Sequence, residues 1–510
     1  MVKILVIQLS RFGDLLQTSA MVRTLRKKYP HAEITLLCRY NLLEIYKNSP
    51  DIDRLEAFNI EEYTRNLRGK GGLYRAYCEL KNAVSGLQDV NFDLVVNATH
   101  DRFSTFLTSI LYPKRIKGMS LHVGKRLKII VNDFWFRYLR CTPEFRRSTC
   151  FNLVDIYKNS VGEDPGVRNL CFEVSERAQG RAAKLLDDAT SGGAGRGITY
   201  IGFQVGTSTG FRRWPTGYFA KLGDRLQRDP KVRVVLFGSS GERELGEKLS
   251  AQMTSKPIDL IGRTNLSVLA ALLSRCRALV TNDTGTMHLA GAVGTKCISL
   301  FFESANPFQT GVYGEGHIIC TPALDCFPCP TNICCNEKRC LNAIPASLVY
   351  QLVSWKALGG RKDGVIIPEG TNVFETGFDG HGLWELSPLG GQKLTTEDLI
   401  RLVYRQVWVQ CLVGRENGVT RKGRNAHGSK LNRVNNADLG YTANDTELEN
   451  WLHEFLASIE ALEERVRRGK AVLRELKRDV LYGTSDGEVL LERSAQLKIL
   501  NEEIVQSGAS

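Results

Sequence analysis

Long apolar runs are missing from this chain of 510 residues: no stretch reaches 18 apolar residues, which excludes a membrane-spanning helix. The opening MVKILVIQLSRFGDL lacks the apolar core and small-residue cleavage site of a secretion signal, so a cytoplasmic protein is expected. The turn after the first apolar run lacks G-x-G-x-x-G, and no Walker sequence occurs, which argues against a nicotinamide enzyme and a P-loop nucleotidase. No residue-level repeat is visible. With 43% hydrophobic and 24% charged residues, collagen, a coiled-coil rod and wholesale disorder are excluded. Acidic residues are in deficit, 55 against 68 basic, giving +13. Between Arg102 and Arg147 stand eleven basic and two acidic residues, a block suited to an anionic partner or, equally, a solvated surface.

At about 150 residues per domain, the length allows roughly three domains. KILVIQL (Lys3 to Leu9) reads as a strand buried on both faces. Ser10 to Asp14 read as a turn, Leu15 to Lys28 as a helix stopped by Pro30, and Ala32 to Cys38 as the next strand, together a βαβ unit. Phe92 to Ala98 is a later strand. SGGAGRG (Ser191 to Gly197) is the best domain boundary. Beyond it strands are expected at Ile198–Gln204, Val232–Gly238, Ala278–Asn282 and Cys297–Phe302, with helices at Leu266–Arg275 and Met287–Val293 among them. The chain divides on this reading into an α/β domain over 1–190, a second over 197–345, and an extension over 346–412. That extension holds a crossing helix (Ser347–Leu358), short strands between Val365 and Leu386, and a capped helix from Thr395. A polar linker over 413–444 and a helical hairpin or coiled coil over 445–510 follow. The last rests on Leu448, Leu452, Phe455, Ile459, Leu462 and Val466, a heptad seam able to pair helices within one chain or between two copies.

Two loops follow strands and open helices: Ser10-Arg11-Phe12-Gly13-Asp14 and Asn282-Asp283-Thr284-Gly285-Thr286-Met287-His288. Such turns lie at the carboxyl edge of a parallel sheet, where ligands bind. The second places backbone N–H groups and Thr hydroxyls at a helix N-terminus, which suits phosphate; an ordinary cap by Asp283 or Thr284 explains the same residues.

ILVIQLSRFGDLLQTSAMVRTLRKKYP resembles the opening of glycosyltransferase family 9, the ADP-heptose:lipopolysaccharide heptosyltransferases, and VTNDTGTMHLAGAVGTKCISLF is similar to that family's nucleotide-binding signature. FRRWP (Phe211 to Pro215), FGSSGE (Phe237 to Glu242) and LIGRTNLSVLAALLSRC (Leu260 to Cys276) fall between them in family order, so the resemblance spans about residues 1–345. It implies an α/β protein of GT-B architecture, two Rossmann-like doubly wound domains facing across a cleft, with acceptor on the first and nucleotide sugar on the second. It implies an inverting transfer, with Asp14 as the general base that takes the proton of an acceptor hydroxyl. Thr284, Gly285 and Thr286 match the diphosphate turn. Thr207, Ser208 and Arg212 are further donors to phosphate, Arg212 standing where many members have Lys. Glu242 matches the ribose-binding carboxylate, and Leu260 to Thr264 the segment beside the adenine. His288 matches the signature histidine, as ligand or as packing residue. The implied donor is an ADP-sugar, and the implied acceptor a lipopolysaccharide core or another anionic glycolipid met at the inner membrane face. Arg65, Arg68, Lys114, Arg115 and Lys117 are the candidate acceptor-binding cations. Transfer of a different nucleotide sugar to a surface polysaccharide is the alternative, and a basic nucleic-acid-binding protein a remote one; no nucleic-acid partner is expected.

A catalytic metal on the diphosphate would want an Asp-x-Asp loop. The one such triplet, Asp51-Ile52-Asp53, falls in the wrong domain and reads as a loop before a strand, so no metal or other cofactor is expected in catalysis. Six of fourteen cysteines fall between Cys320 and Cys340. Cys326, Cys329, Cys334 (or Cys335) and Cys340 could supply thiolates to a structural zinc or iron–sulfur cluster, or be reduced structural thiols.

Overall fold

Ile4 to Ile7, fully buried on both faces, sit at the centre of the first of two sheets. The structure, a computed structural model, describes residues 1–412 apart from 61, 63–64, 66–71, 124–126, 142–145, 163–165, 191–196, 208, 330–334, 336 and 391–395. The expected linker and helical tail beyond 412, and Arg68, Ser208 and Cys334, therefore lie outside the described residues.

The first sheet contains β1 (Lys3–Ile7), β2 (Glu33–Arg39), β3 (Arg54–Phe58), β4 (Leu94–Asn97), β5 (Arg115–Val123) and β6 (Leu127–Val131) in the order β3-β2-β1-β4-β5-β6. All pairs are parallel except β5 with β6. The second contains β7 (Thr199–Gln204), β8 (Val232–Phe237), β9 (Ile258–Asp259), β10 (Cys276–Asn282), β11 (Lys296–Leu300) and β12 (Ile318–Pro322), then β13 (Thr371–Phe378) and β14 (Trp384–Pro388). Its order is β14-β13-β12-β11-β10-β7-β8-β9. Read from β9 to β12, this is the doubly wound order 3-2-1-4-5-6, with the order reversing between β7 and β10 as it does between β1 and β4 in the first sheet. The expected α/β architecture of two Rossmann-like sheets is what the chain forms.

The helices used below are α1 (Phe12–Gln17), α2 (Ser19–Lys28), α3 (Gly72–Gln88), α4 (Arg102–Ile110), α5 (Phe134–Cys141), α6 (Leu153–Val161), α7 (Glu176–Ala189), α8 (Thr216–Leu226), α9 (Leu266–Leu273), α10 (Gly285–Ala292), α11 (Ala346–Ala357) and α12 (Thr396–Leu412).

Four differences from the sequence reading have local causes. The helix expected from Leu15 starts at Phe12, because the Asp14 carboxylate accepts the Arg11 N–H (3.2 Å) and caps the helix from within its first turn. The same expected helix divides at Thr18, whose hydroxyl bonds back to the Leu15 carbonyl (2.6 Å). The segment 371–388 extends the second sheet rather than standing apart: β13 pairs antiparallel with β12, and β14 with β13. Finally, α11 does not cross back. Its Leu348, Val349, Leu352 and Val353 are buried in the core of the second sheet. It is α12 that returns to the first half, where Trp408 stacks edge-on against Tyr138 of α5 and Arg405 donates to the Cys150 carbonyl (2.7 Å).

A buried polar cluster ties the halves together. Tyr313 Oη donates to Asp155 Oδ1 of α6 (2.7 Å), the Trp384 N–H to Asp155 Oδ2 (2.8 Å), and Lys158 Nζ to Tyr313 Oη (3.2 Å). Asp155 and Lys158 are almost wholly buried, so each needs these partners to offset lost hydration. Asn152 adds a bond from its side-chain amide to the Gly311 carbonyl (3.0 Å).

Candidate active site

Both switch points place loops at the carboxyl edge of their sheets, and the two edges meet. Gln8 Oε1 accepts the Ser10 N–H (3.1 Å) and Thr99 Oγ1 the Leu9 N–H (2.7 Å), fixing the turn after β1 against the end of β4. That turn runs into α1, which packs on α10. A Cβ at Gly13 would stand 3.3 Å from His288 Cδ2 and 3.6 Å from the Gly285 Cα, and one at Gly285 would overlap the Phe12 ring. Glycine at 285 is thus required by close approach of the opposite loop.

Asp14, the residue after Gly13, is half-buried. Burial raises its carboxyl pKa above the ordinary range, opposed by the Arg11 N–H and the Arg11 charge. The shift makes the carboxylate a stronger base, which suits proton abstraction. His288 is buried; Gln17 Nε2 lies 3.3 Å from its Nε2, and burial pulls its pKa down to about 4, so the imidazole is neutral at physiological pH. It lies in the contact between α1 and α10.

Across the second sheet, the loops after β7 and β10 flank its switch point. Asn282, fully buried, binds them: its Oδ1 accepts the Trp214 N–H (2.9 Å) and its Nδ2 reaches the Gln204 and Val205 carbonyls (3.3 Å each). Thr284 is the N-cap of α10, yet its side chain makes no capping hydrogen bond. The ordinary-cap explanation of this threonine therefore does not hold, and the hydroxyl faces its neighbour Thr281 Oγ1 at 3.5 Å. Arg212 stands beside the same turn: its Nε donates to Glu303 Oε2 (2.9 Å), Nη2 to Ser304 Oγ (2.6 Å), and Nη1 lies 3.7 Å from Asp283 Oδ2. Its guanidinium is held in a fork by two carboxylates, next to the helix N-terminus.

Glu242 also belongs to this edge. Its Oε2 accepts from Ser239 N (2.6 Å) and Ser239 Oγ (3.0 Å), and its carboxylate lies against Gly206, where any side chain would collide with it. Thr207 donates its hydroxyl to the Thr209 carbonyl. Leu260 is buried and hydrogen-bonds to β8 through Leu260 N to the Leu236 carbonyl (3.1 Å), while Thr264 is half-buried in the following turn.

The acceptor cations are not gathered with Asp14. Arg65 is exposed. Lys114 and Arg115 stand at the start of β5, where Arg115 pairs with Leu94, so they occupy the amino edge of the sheet, opposite the Asp14 loop. Lys114 pairs with Asp93 (2.7 Å) and Lys117 with Asp133 (2.8 Å). A parallel strand sends only its last residues to the ligand edge, and a count of charges along the sequence cannot show which end of the strand they occupy.

The Asp-x-Asp triplet serves structure: Asp51 binds Arg23 (2.6 Å), and Asp53 binds Arg26 (2.5 Å) and the Ile34 N–H (2.7 Å). Cys326, Cys329, Cys335 and Cys340 line one pocket with Glu303 and Phe211. Among the described residues no group of three or more His, Cys, Asp or Glu is arranged to hold a metal ion. The cysteine segment does brace the site, since the Cys329 N–H donates to the Glu303 carbonyl (2.8 Å) behind Arg212. Asn282, Phe12 and Glu303 went unmarked as site residues in the sequence. Glu303 carries one late signal, a left-handed φ of 56° in a non-glycine residue.

Comparison with known proteins bears on the family and the fold. The family described as glycosyltransferase family 9 (heptosyltransferase) matches residues 85–339. Lipopolysaccharide heptosyltransferase 1 of Pseudomonas aeruginosa is 25% identical over 344 residues, 65% of this chain and 87% of that protein. Lipooligosaccharide heptosyltransferase 2 of Haemophilus influenzae is 25% identical over 328 residues, 62% of this chain and 88% of its own. Among solved structures, a glycosyl transferase family 9 protein of Veillonella parvula superposes with a TM-score of 0.53 at 23% identity, covering 70% of this chain and 98% of that one. The E. coli ADP-heptose lps heptosyltransferase II superposes with 0.50 at 19% identity, covering 70% and 99%. The likeness to these two structures establishes the two-sheet GT-B fold.

Proposed function

The chain belongs to glycosyltransferase family 9, and from that premise we propose that it transfers heptose from ADP-heptose to a lipopolysaccharide core sugar, with inversion and without a catalytic metal. The observation that supports this reading is the contact of Phe12 and Gly13 with Gly285 and His288, by which the loop that bears Asp14 lies against the start of α10. In the reaction, Asp14 takes the proton of an acceptor hydroxyl as that oxygen attacks the anomeric carbon from the face opposite the diphosphate. The bond from the anomeric carbon to the diphosphate oxygen breaks, the electron pair leaves with ADP, and the proton remains on Asp14.

The leaving group is already a stable anion and needs stabilisation rather than protonation. The Thr284–Thr286 turn and Arg212 supply it, the guanidinium exchanging part of its Glu303 and Asp283 pairing for phosphate oxygens. Glu242 lies where it would accept ribose hydroxyls, with Leu260 and Thr264 beside the base. Metal-free transfer is supported by Asp51 and Asp53 being bound to Arg23 and Arg26. The acceptor is membrane-linked, so the protein works peripherally on the inner membrane face.

Product mass spectrometry tests this reading. Purified protein is offered ADP-, UDP- and GDP-sugars with truncated lipopolysaccharide acceptors, with and without EDTA. One heptosyl unit added from ADP-heptose alone, at equal rate in EDTA, is the expected result. Transfer only from another nucleotide sugar would replace it with the alternative donor.

A further inference from the structure

Four cysteines with no part in the proposed transfer share one pocket. Cys326, Cys329, Cys335 and Cys340 are free thiols, Cys326 and Cys335 exposed, Cys329 and Cys340 half-buried. They stand close enough to act on one another: burial, and then the neighbouring Cys326, Cys340 and Cys335, raise the Cys329 pKa. Two of the four described non-glycine residues with left-handed backbone, Glu303 (φ 56°) and Lys338 (φ 48°), line the same pocket. Backbone strain of this kind gathers at functional sites.

Glu303 joins this pocket to the candidate site. Its carbonyl accepts the Cys329 N–H (2.8 Å), and its own N–H faces the Cys340 sulfur. Its Oε2 accepts from Arg212 Nε (2.9 Å) and from Ser304 Oγ (3.2 Å), and Ser304 Oγ accepts from Arg212 Nη2 (2.6 Å). Phe211, the residue before Arg212, forms another wall of the pocket, with Lys338 Nζ 5.0 Å from the centre of its ring. One residue therefore couples the two places: the cysteine segment holds the Glu303 backbone, and the Glu303 carboxylate holds the Arg212 guanidinium.

The described thiols are not arranged as the ligand set of a metal ion. What they offer is an exposed thiol, Cys326, near a half-buried one, Cys340, the combination in which an oxidised cysteine is resolved by its neighbour. Burial raises the Cys340 pKa, the Glu303 N–H opposes this, and among the cysteines Cys326 acts on it most. Hydrogen peroxide would convert the Cys326 thiol to a sulfenic acid, releasing one water. The Cys340 sulfur then attacks the Cys326 sulfur, the hydroxyl leaves with the Cys340 proton as a second water, and the S–S bond forms. Two electrons pass from the thiols to the peroxide, and a dithiol reductant returns them. In the disulfide the Cys340 sulfur is committed to Cys326 and drawn from the Glu303 N–H.

We propose that Cys326 and Cys340 are a peroxide-sensitive dithiol that, on closing to a disulfide, releases Glu303 and through it Arg212. Its consequence for ADP rests on the proposed role of Arg212; the disulfide and its effect on Glu303 do not. The full chain is reduced, treated with hydrogen peroxide, and followed by mass spectrometry of unreduced peptides, by hydrogen–deuterium exchange and by calorimetric titration with ADP, each repeated after dithiothreitol. A Cys326–Cys340 link is expected, with faster exchange over residues 301–306 and ADP affinity lowered at least about fivefold, part of what a charged hydrogen bond contributes. Dithiothreitol should reverse all three. Cys326→Ser should abolish them and bind ADP as reduced wild type does, whereas Cys329→Ser should keep them. Four outcomes overturn the proposal: no Cys326–Cys340 link; a link that leaves exchange over 301–306 unchanged; changes that persist in Cys326→Ser; or stoichiometric zinc or iron in the protein as purified, which assigns the thiols to a metal. A link with faster exchange and unchanged ADP affinity supports the dithiol and counts instead against Arg212 as the diphosphate's partner.

Discussion

The ring of Phe12 lies over the α-carbon of Gly285, so closely that a methyl group on Gly285 would overlap it. One residue belongs to the loop that bears Asp14 and the other opens the helix proposed to receive the diphosphate, so on the proposed mechanism their contact sets the distance between base and donor. Gly285→Ala should displace Phe12 and, with it, α1. Misplacement by about 1 Å costs on the order of 10²-fold in rate. Steady-state kinetics of Gly285→Ala, Phe12→Ala and the double variant check this: the double variant should be faster than Gly285→Ala alone. Equal rates for the two would mean that the contact does not position the loop.

Arg212 stands beside the proposed diphosphate turn, held there by Glu303 and Ser304. Arg212→Ala should weaken ADP binding about 10- to 100-fold, the range for a charged hydrogen-bonded partner. Arg212→Lys should recover only part, because an ammonium cannot make the fork. Calorimetric titration with ADP measures both. An unchanged affinity in Arg212→Ala would place the diphosphate elsewhere.

His317 is buried, and its Nδ1 accepts the Cys297 N–H (3.1 Å). Burial, with the nearby Lys296 and Lys356, lowers its pKa from 6.5 to about 3. Between these values the unfolded chain binds a proton that the folded chain does not, so stability rises with pH and is lost as pH falls below 6.5. The loss is about 2 kcal/mol at pH 5 for a pKa depressed this far. Urea denaturation at pH 7 and pH 5 should show it, and His317→Asn should show a smaller difference between the two. Equal differences in wild type and variant would contradict the assignment.

Much of this arrangement is legible in the chain. Apolar runs such as Leu5–Ile7 and Val234–Leu236 mark strands buried on both faces, and the loops that follow them mark the ligand edges. What a strand pattern does not reveal is contact across the cleft. Phe12 reads as one more apolar residue in a turn, and only folding brings it onto Gly285. Asn282 is likewise a polar residue at a strand end until its amide is seen to join the loops after β7 and β10. The basic block misled for a geometrical reason: Lys114 and Arg115 share it with Lys117, but β5 begins with the first two and so carries them away from Asp14.

The most direct test of the account is the pH dependence of transfer by the wild type and by Asp14→Asn. On the proposed mechanism transfer requires the deprotonated carboxylate, and burial raises its pKa, so the wild-type rate should fall on acidification at a pH above the ordinary aspartate value of about 3.9. Asp14→Asn should turn over roughly 10²- to 10⁴-fold more slowly, the usual contribution of a general base, with the acid limb gone and ADP affinity unchanged. A folded Asp14→Asn protein that keeps more than about a tenth of the wild-type rate and the same acid limb would contradict the assignment of Asp14 as the base.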